Sequence, residues 1–120
     1  MSIVNSKDKG DRAERALVDF LDHEGFAARR IIAGAHDDIG DIDIHPDIVI
    51  EVKNRYKVSL GEYLTALWAQ KGNKDAAFGF IAIKMRGKAN PVEWGYMIDG
   101  PTFVNILRLL VRPGDLKVQE

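Results

Sequence analysis

The 120-residue chain predicts an α/β fold, a mixed β-sheet flanked by helices in the order α-β-β-β-α-β-β-α. Three observations carry that expectation. Apolar residues recur at helical spacing near residues 13–21, 60–68 and 103–110. Residues 40–54 alternate charged and β-branched side chains, the period-two pattern of a hairpin with one apolar face. Residues 78–84 form an apolar run of strand length.

The first helix is expected to begin within residues 5–11 and to stop at Gly25, a residue suited to a helix end. Its core stripe is Ala13, Ala16, Leu17, Phe20 and Leu21. Residues 26–32 read as the first strand, leading through a glycine-containing loop, 33–38, into the hairpin. Ser59-Leu60-Gly61-Glu62 has the form of a capping box opening a second helix, with Leu60, Tyr63, Leu64, Leu67 and Trp68 as its stripe and its end near Gly72. The strand at 78–84 emerges at Lys84, Arg86 and Lys88, and a turn at Asn90-Pro91 leads to a last strand at 93–98. Asp99 then caps a final helix with Pro101 in its first turn and Phe103, Val104, Ile106, Leu107 and Leu110 as its apolar side.

The hairpin concentrates the chemistry. If a tight turn at His45, Pro46 and Asp47 sets Ile44 opposite Ile48, then Asp43 faces Val49 and Asp41 faces Glu51, with Lys53 on the same face. Ile42, Ile44, Ile48, Ile50 and Val52 fill the other face, and a slip of one residue would bury the acids, so the pattern fixes the register. Two adjacent carboxylates repel unless a cation lies between them or one keeps a proton. All-oxygen ligation suits Mg2+ or Mn2+. A lysine beside such a metal can orient a water or steady charge on an attacked group. The competing reading is a half-exposed strand whose charges are merely solvated. Against it stands the joint occurrence of arm, turn, arm and the basic continuation Arg55 and Lys57. His36 and His45 are isolated in turns and read as structural.

Composition sets bounds. Apolar residues are 46% and charged residues 29% of the chain, which is ordinary for a globular protein. With no cysteine there is no disulfide framework or thiolate zinc site. The polar start is unlike a signal peptide and no apolar run approaches the ~20 residues of a membrane span, so a cytoplasmic protein is expected. The formal net charge of −1 is unusual for a nucleic-acid binder, yet the basic residues cluster around the hairpin.

Gly40-Asp41 followed by Glu51-Val52-Lys53 resembles the PD-(D/E)XK nuclease superfamily, with glycine where that family has proline. The leading helix with Glu14, the Gly72-Asn73 pair and the segment Lys84-Met85-Arg86-Gly87-Lys88 extend the likeness over nearly the whole chain. They resemble the small Holliday junction resolvases of actinobacterial phages, relatives of the archaeal-type enzymes. The resemblance implies a restriction-endonuclease-like sheet, a single domain over 1–120, and a metal-dependent endonuclease that cuts four-way DNA junctions by paired hydrolysis. It implies Asp41, Glu51 and the Val52 carbonyl as ligands, Lys53 at the water or phosphate, and Glu14 in the outer ligation. Glu14 at the edge of the first helix's stripe fits that role, the alternative being complementation of the helix dipole, worth about 0.3–1 kcal/mol. Asp43 is the rival of Asp41. Contacts to DNA are expected from Arg12, Arg30, Arg55, Lys57, Gln70, Lys71, Lys84, Arg86 and Lys88. Paired incisions imply a C2 homodimer, with Leu60, Tyr63, Leu64, Trp94 and Tyr96 as interface candidates. A nuclease acting on other branched or duplex DNA, and a non-catalytic DNA-binding module, are the alternatives.

Overall fold

The computed structural model describes residues 6–32, 34 and 37–112; Asn5, Ala33, Ala35 and His36 lie outside them. The predicted element order is the observed one: α1 (Ser6–His23), β1 (Arg29–Arg30), β2 (Ile42–Asp43), β3 (Ile48–Lys53), α2 (Leu60–Lys74), β4 (Phe78–Ile83), β5 (Gly95–Ile98) and α3 (Gly100–Leu110). The five strands form one sheet in sequence order, antiparallel at every junction except β3 with β4. A parallel pair needs a crossover, and α2 supplies it.

Burial on both faces explains the apolar run Ile48-Val49-Ile50 that opens β3. Ala13 and Leu17 of α1 pack with Ile42, Ile50, Val52, Ala82 and Trp94 on one face. Tyr63 and Leu67 of α2 pack with Val49 and Ile81 on the other. Gly79 permits this second contact. A Cβ there would lie 2.8 Å from Lys71 Cδ and 2.9 Å from Leu67 Cδ1. On β4 the Gly79 amide donates to Thr102 Oγ1 at 2.8 Å, which anchors the start of α3.

Several local expectations are corrected. β1 is two residues rather than 26–32, because it pairs with β2 only through Arg29 with Asp43 and Arg30 with Ile42, and Phe26 and Ile32 are left exposed. Ser59 stands at the N-cap of α2, but its side chain makes no capping bond, so the capping box does not form. The end of α2 is Asp75 in the left-handed region (φ 55°), donating its amide to Gly72 O, and Gly72-Asn73 fall in the last helical turn. Residues 91–93 wind into a 3-10 turn capped by Asn90, which accepts from the Val92 amide at 3.1 Å and delays β5 to Gly95. Tyr63 and Trp94 are core residues, which removes them from the interface candidates. On α3 the expected Asp99 cap holds, accepting from the Thr102 amide at 3.0 Å, whereas Phe103, Val104, Leu107 and Leu110 are exposed.

Candidate active site

Ile42 pairs with Ile50, the register that the hairpin pattern predicts, and it sets Asp41 across from Glu51. The entry to β2 depends on Gly40. Its φ of +101° belongs to the left-handed region, and a Cβ would approach Ile50 O to 2.8 Å. Proline, locked near φ −65°, could not stand there. The turn lets the Asp41 amide donate to Ile50 O at 2.8 Å while Asp41 Oδ2 accepts from the Val52 amide at 2.8 Å. The carboxylate is thus tied to the motif strand from both its backbone and its side chain.

Glu51 is only 7% exposed. Asp41 and Glu51 hydrogen-bond, and the Asp41 pKa is pushed up to about 8, first by burial and then by Glu51, against the Val52 amide and Lys53. Lys53 Nζ lies 5.2 Å from the centre of the Tyr63 ring. Gln70, 1% exposed, donates from Nε2 to Glu51 and to Asp38 Oδ2, the latter at 3.0 Å. Asp38 Oδ1 in turn accepts from the Gly40 amide at 3.0 Å, so one network links the loop before β2, the carboxylate pair and α2.

Glu14 is partly buried near Asp41, and its pKa is raised by burial, then by Asp41, with Arg30 opposing. Its carboxylate is held by Arg30 at 3.1 Å, and the same guanidinium holds Asp11 at 2.8 Å. Among the described residues no three His, Cys, Asp or Glu side chains converge as a metal cluster. Asp43 is engaged by Arg29 at 3.3 Å and Lys74 at 3.2 Å; burial works to raise its pKa, but these two cations hold it below the usual value.

The basic residues sort by place. Arg12, Arg55, Lys84 and Arg86 join Lys9 along one groove of about 710 Å³ that begins just beyond Lys53, and among the described residues no acid lines it. Lys57 is exposed on the adjoining loop, and Lys88 lies 4.0 Å from Glu93. Lys71 is mostly buried against Asp99 at 2.7 Å, so the expected DNA contact gives way to an internal ion pair. Gln70 is likewise inside, on Glu51, and not on a DNA-facing surface. Its position on the stripe after Tyr63 and Leu67 was the available signal, a polar residue at core spacing; for Asp38 the signal was the Asp-x-Gly turn preceding the motif.

Residues 5–97 match the archaeal Holliday junction resolvase (Hjc) family. The chain belongs to that family. Its members are endonucleases that cleave branched DNA and generally depend on a divalent metal, and this chain is a junction-resolving nuclease. Among solved structures, the resolvase is similar to Hjc of the hyperthermophile Archaeoglobus fulgidus, a Holliday junction resolvase, at 27% identity and a TM-score of 0.53, over 75% of this chain and 72% of that one. No curated protein matches it. The five-stranded mixed sheet flanked by three helices is that of a restriction-endonuclease-like fold.

The donor set fits a divalent cation. Two carboxylates that must share a proton when alone form an anionic, all-oxygen seat, and a cation placed between them would take the proton's place.

Proposed function

We propose that the resolvase cuts four-way junctions through Asp41, Glu51 and Lys53, acting from residues 1–120 as one nuclease domain. The observation that carries this reading is the register of β2 on β3, which sets the two carboxylates side by side with Lys53 next along the strand. Asp41, Glu51 and the Val52 carbonyl would hold Mg2+, or Mn2+, which when bound supplies the charge that activates a water and offsets the phosphate's. Gln70 and the Val52 amide fix the two carboxylates, so no reorganisation is needed at the moment of reaction. Lys53, held over Tyr63, positions the water or steadies the charge that builds on the phosphate. Glu14, held by Arg30 and close to Asp41, completes the outer ligation. Hydrolysis in line with the 3′ oxygen leaves a 5′ phosphate.

Arg12, Arg55, Lys84 and Arg86 track the backbone of the junction's arms, reading phosphate positions and shape rather than base edges. Two such sites in a C2 homodimer deliver the paired incisions. We place the activity in the cytoplasm, where recombining DNA is found. Asp41→Ala and Glu51→Ala should each lower junction cleavage by roughly 100- to 1,000-fold or more while binding is retained. Mapping both cuts on a synthetic four-way junction with and without Mg2+ tests this, and undiminished cutting by either variant would refute the assignment.

A further inference from the structure

Tyr56 stands out among the groove's residues because it is a large ring that the fold leaves 83% exposed. It lies three residues past Lys53 on the loop between β3 and α2. The ring is not loose. The Arg86 guanidinium, from the loop after β4, sits over it at 4.3 Å from the centroid. One face is thus covered by a cation, which sets the ring's plane. The remainder is open to the groove, beside Met85 and Val58, which are also exposed.

We propose that Tyr56, braced by Arg86, is a stacking platform for a base laid bare at the branch point of the junction. The inference rests on the junction-resolving reading and adds to it the feature that separates a junction from a linear duplex. Inside a continuous duplex every base is covered above and below, and an exposed ring finds nothing to stack on. At a branch point the stack is interrupted and base faces become available. Stacking on an aromatic ring tolerates any sequence, because every base has a π-face, and it suits a protein that otherwise reads phosphates. The five groove cations attract junction and duplex alike, so they supply affinity without this choice. Tyr56 supplies the choice. Since the side chain is mostly in solvent, its removal leaves no cavity in the core.

The test uses the full chain, in chelator to prevent cutting, with a four-way junction carrying 2-aminopurine beside the branch point and a linear duplex of the same sequence. Wild type should change the 2-aminopurine emission on binding, as should Tyr56→Phe, which keeps the ring. Tyr56→Ala should lose the change and bind the junction about 10-fold more weakly, with duplex affinity unaltered. An emission change and junction affinity preserved in Tyr56→Ala would overturn the proposal. So would wild-type binding to the junction with no emission change, which leaves the junction-resolving reading intact. Failure of wild type to prefer the junction over the duplex would instead overturn that reading, and this one with it.

Discussion

Asp41 is held where the fold favours its protonated form. Burial and the facing Glu51 raise its pKa from 3.8 to about 8, and Glu14 is raised in the same direction by burial and by Asp41. A carboxyl whose pKa is higher folded than unfolded binds its proton more tightly in the fold. Its contribution to stability is therefore complete below about pH 4 and is lost as pH rises through 8. Asp43 and Asp99 run the other way: burial alone would raise them, but Lys74 with Arg29, and Lys71 with Thr102, lower them, so their contribution is lost only in acid, below the usual carboxylate range. Between pH 5 and 8.5 the titration of Asp41 dominates. In metal-free buffer the melting temperature of wild type should fall across that range, whereas Asp41→Asn, which cannot ionise, should show a flatter profile. At pH 8 the variant should be the more stable by about 1–2 kcal/mol. Mg2+ should raise the wild-type melting temperature at pH 8 and leave the variant's nearly unchanged. Identical pH slopes for the two proteins in calorimetry would show that Asp41 is not strained.

At the scale of elements, the crossing of α2 over β4 is set by a missing side chain. Gly79 lies where any Cβ would press on Leu67 and the Lys71 stem, so Gly79→Ala should destabilise the fold by about 1–3 kcal/mol in urea titration. Gly61, helical with nothing within 4 Å of its Cβ, is the control: Gly61→Ala should be neutral or stabilise by up to ~1 kcal/mol. Equal effects at the two positions would mean that α2 has room to shift. The same helix shows what periodicity can convey. Leu67 is legible as an inward-facing residue because it recurs at helical spacing, and the hairpin's register is legible because its two faces differ so sharply in polarity. For Gln70 the spacing after Tyr63 and Leu67 marks an inward-facing position, but its role is not legible, because its partners, Glu51 and Asp38, are distant in sequence. The ion pair of Lys71 is hidden for the same reason, its partner Asp99 lying 28 residues on. Strand length at a sheet edge and the choice of Asp75 as a cap depend on neighbours that a local pattern does not contain.

For the molecule as a whole, the proposed C2 dimer would bring two copies of the carboxylate pair to a symmetric branch, and it needs a surface to join them. Leu60, Leu64 and Trp68 recur every four residues along one side of α2. Leu60 is 52% and Trp68 55% exposed, while Leu64 is half-buried against the monomer. Tyr63 and Trp94 are spent in the core, and Tyr96 is tied back by its hydroxyl to Pro91 O at 2.8 Å. A large, exposed indole closing an apolar stripe is the kind of side chain that dominates an interface. Trp68→Glu should therefore convert a dimer to a monomer in light scattering, with the helical circular dichroism unchanged because the residue is not part of the core. On a supercoiled plasmid bearing an extruded cruciform, wild type should make both cuts before the junction is lost and yield linear product. The monomeric variant, cutting once and letting the cruciform reabsorb, should yield nicked circles in its place. Unaltered mass together with linear product would move the dimer interface off α2, and the exposed apolar side of α3, at Phe103, Leu107 and Leu110, would then be the surface to charge next.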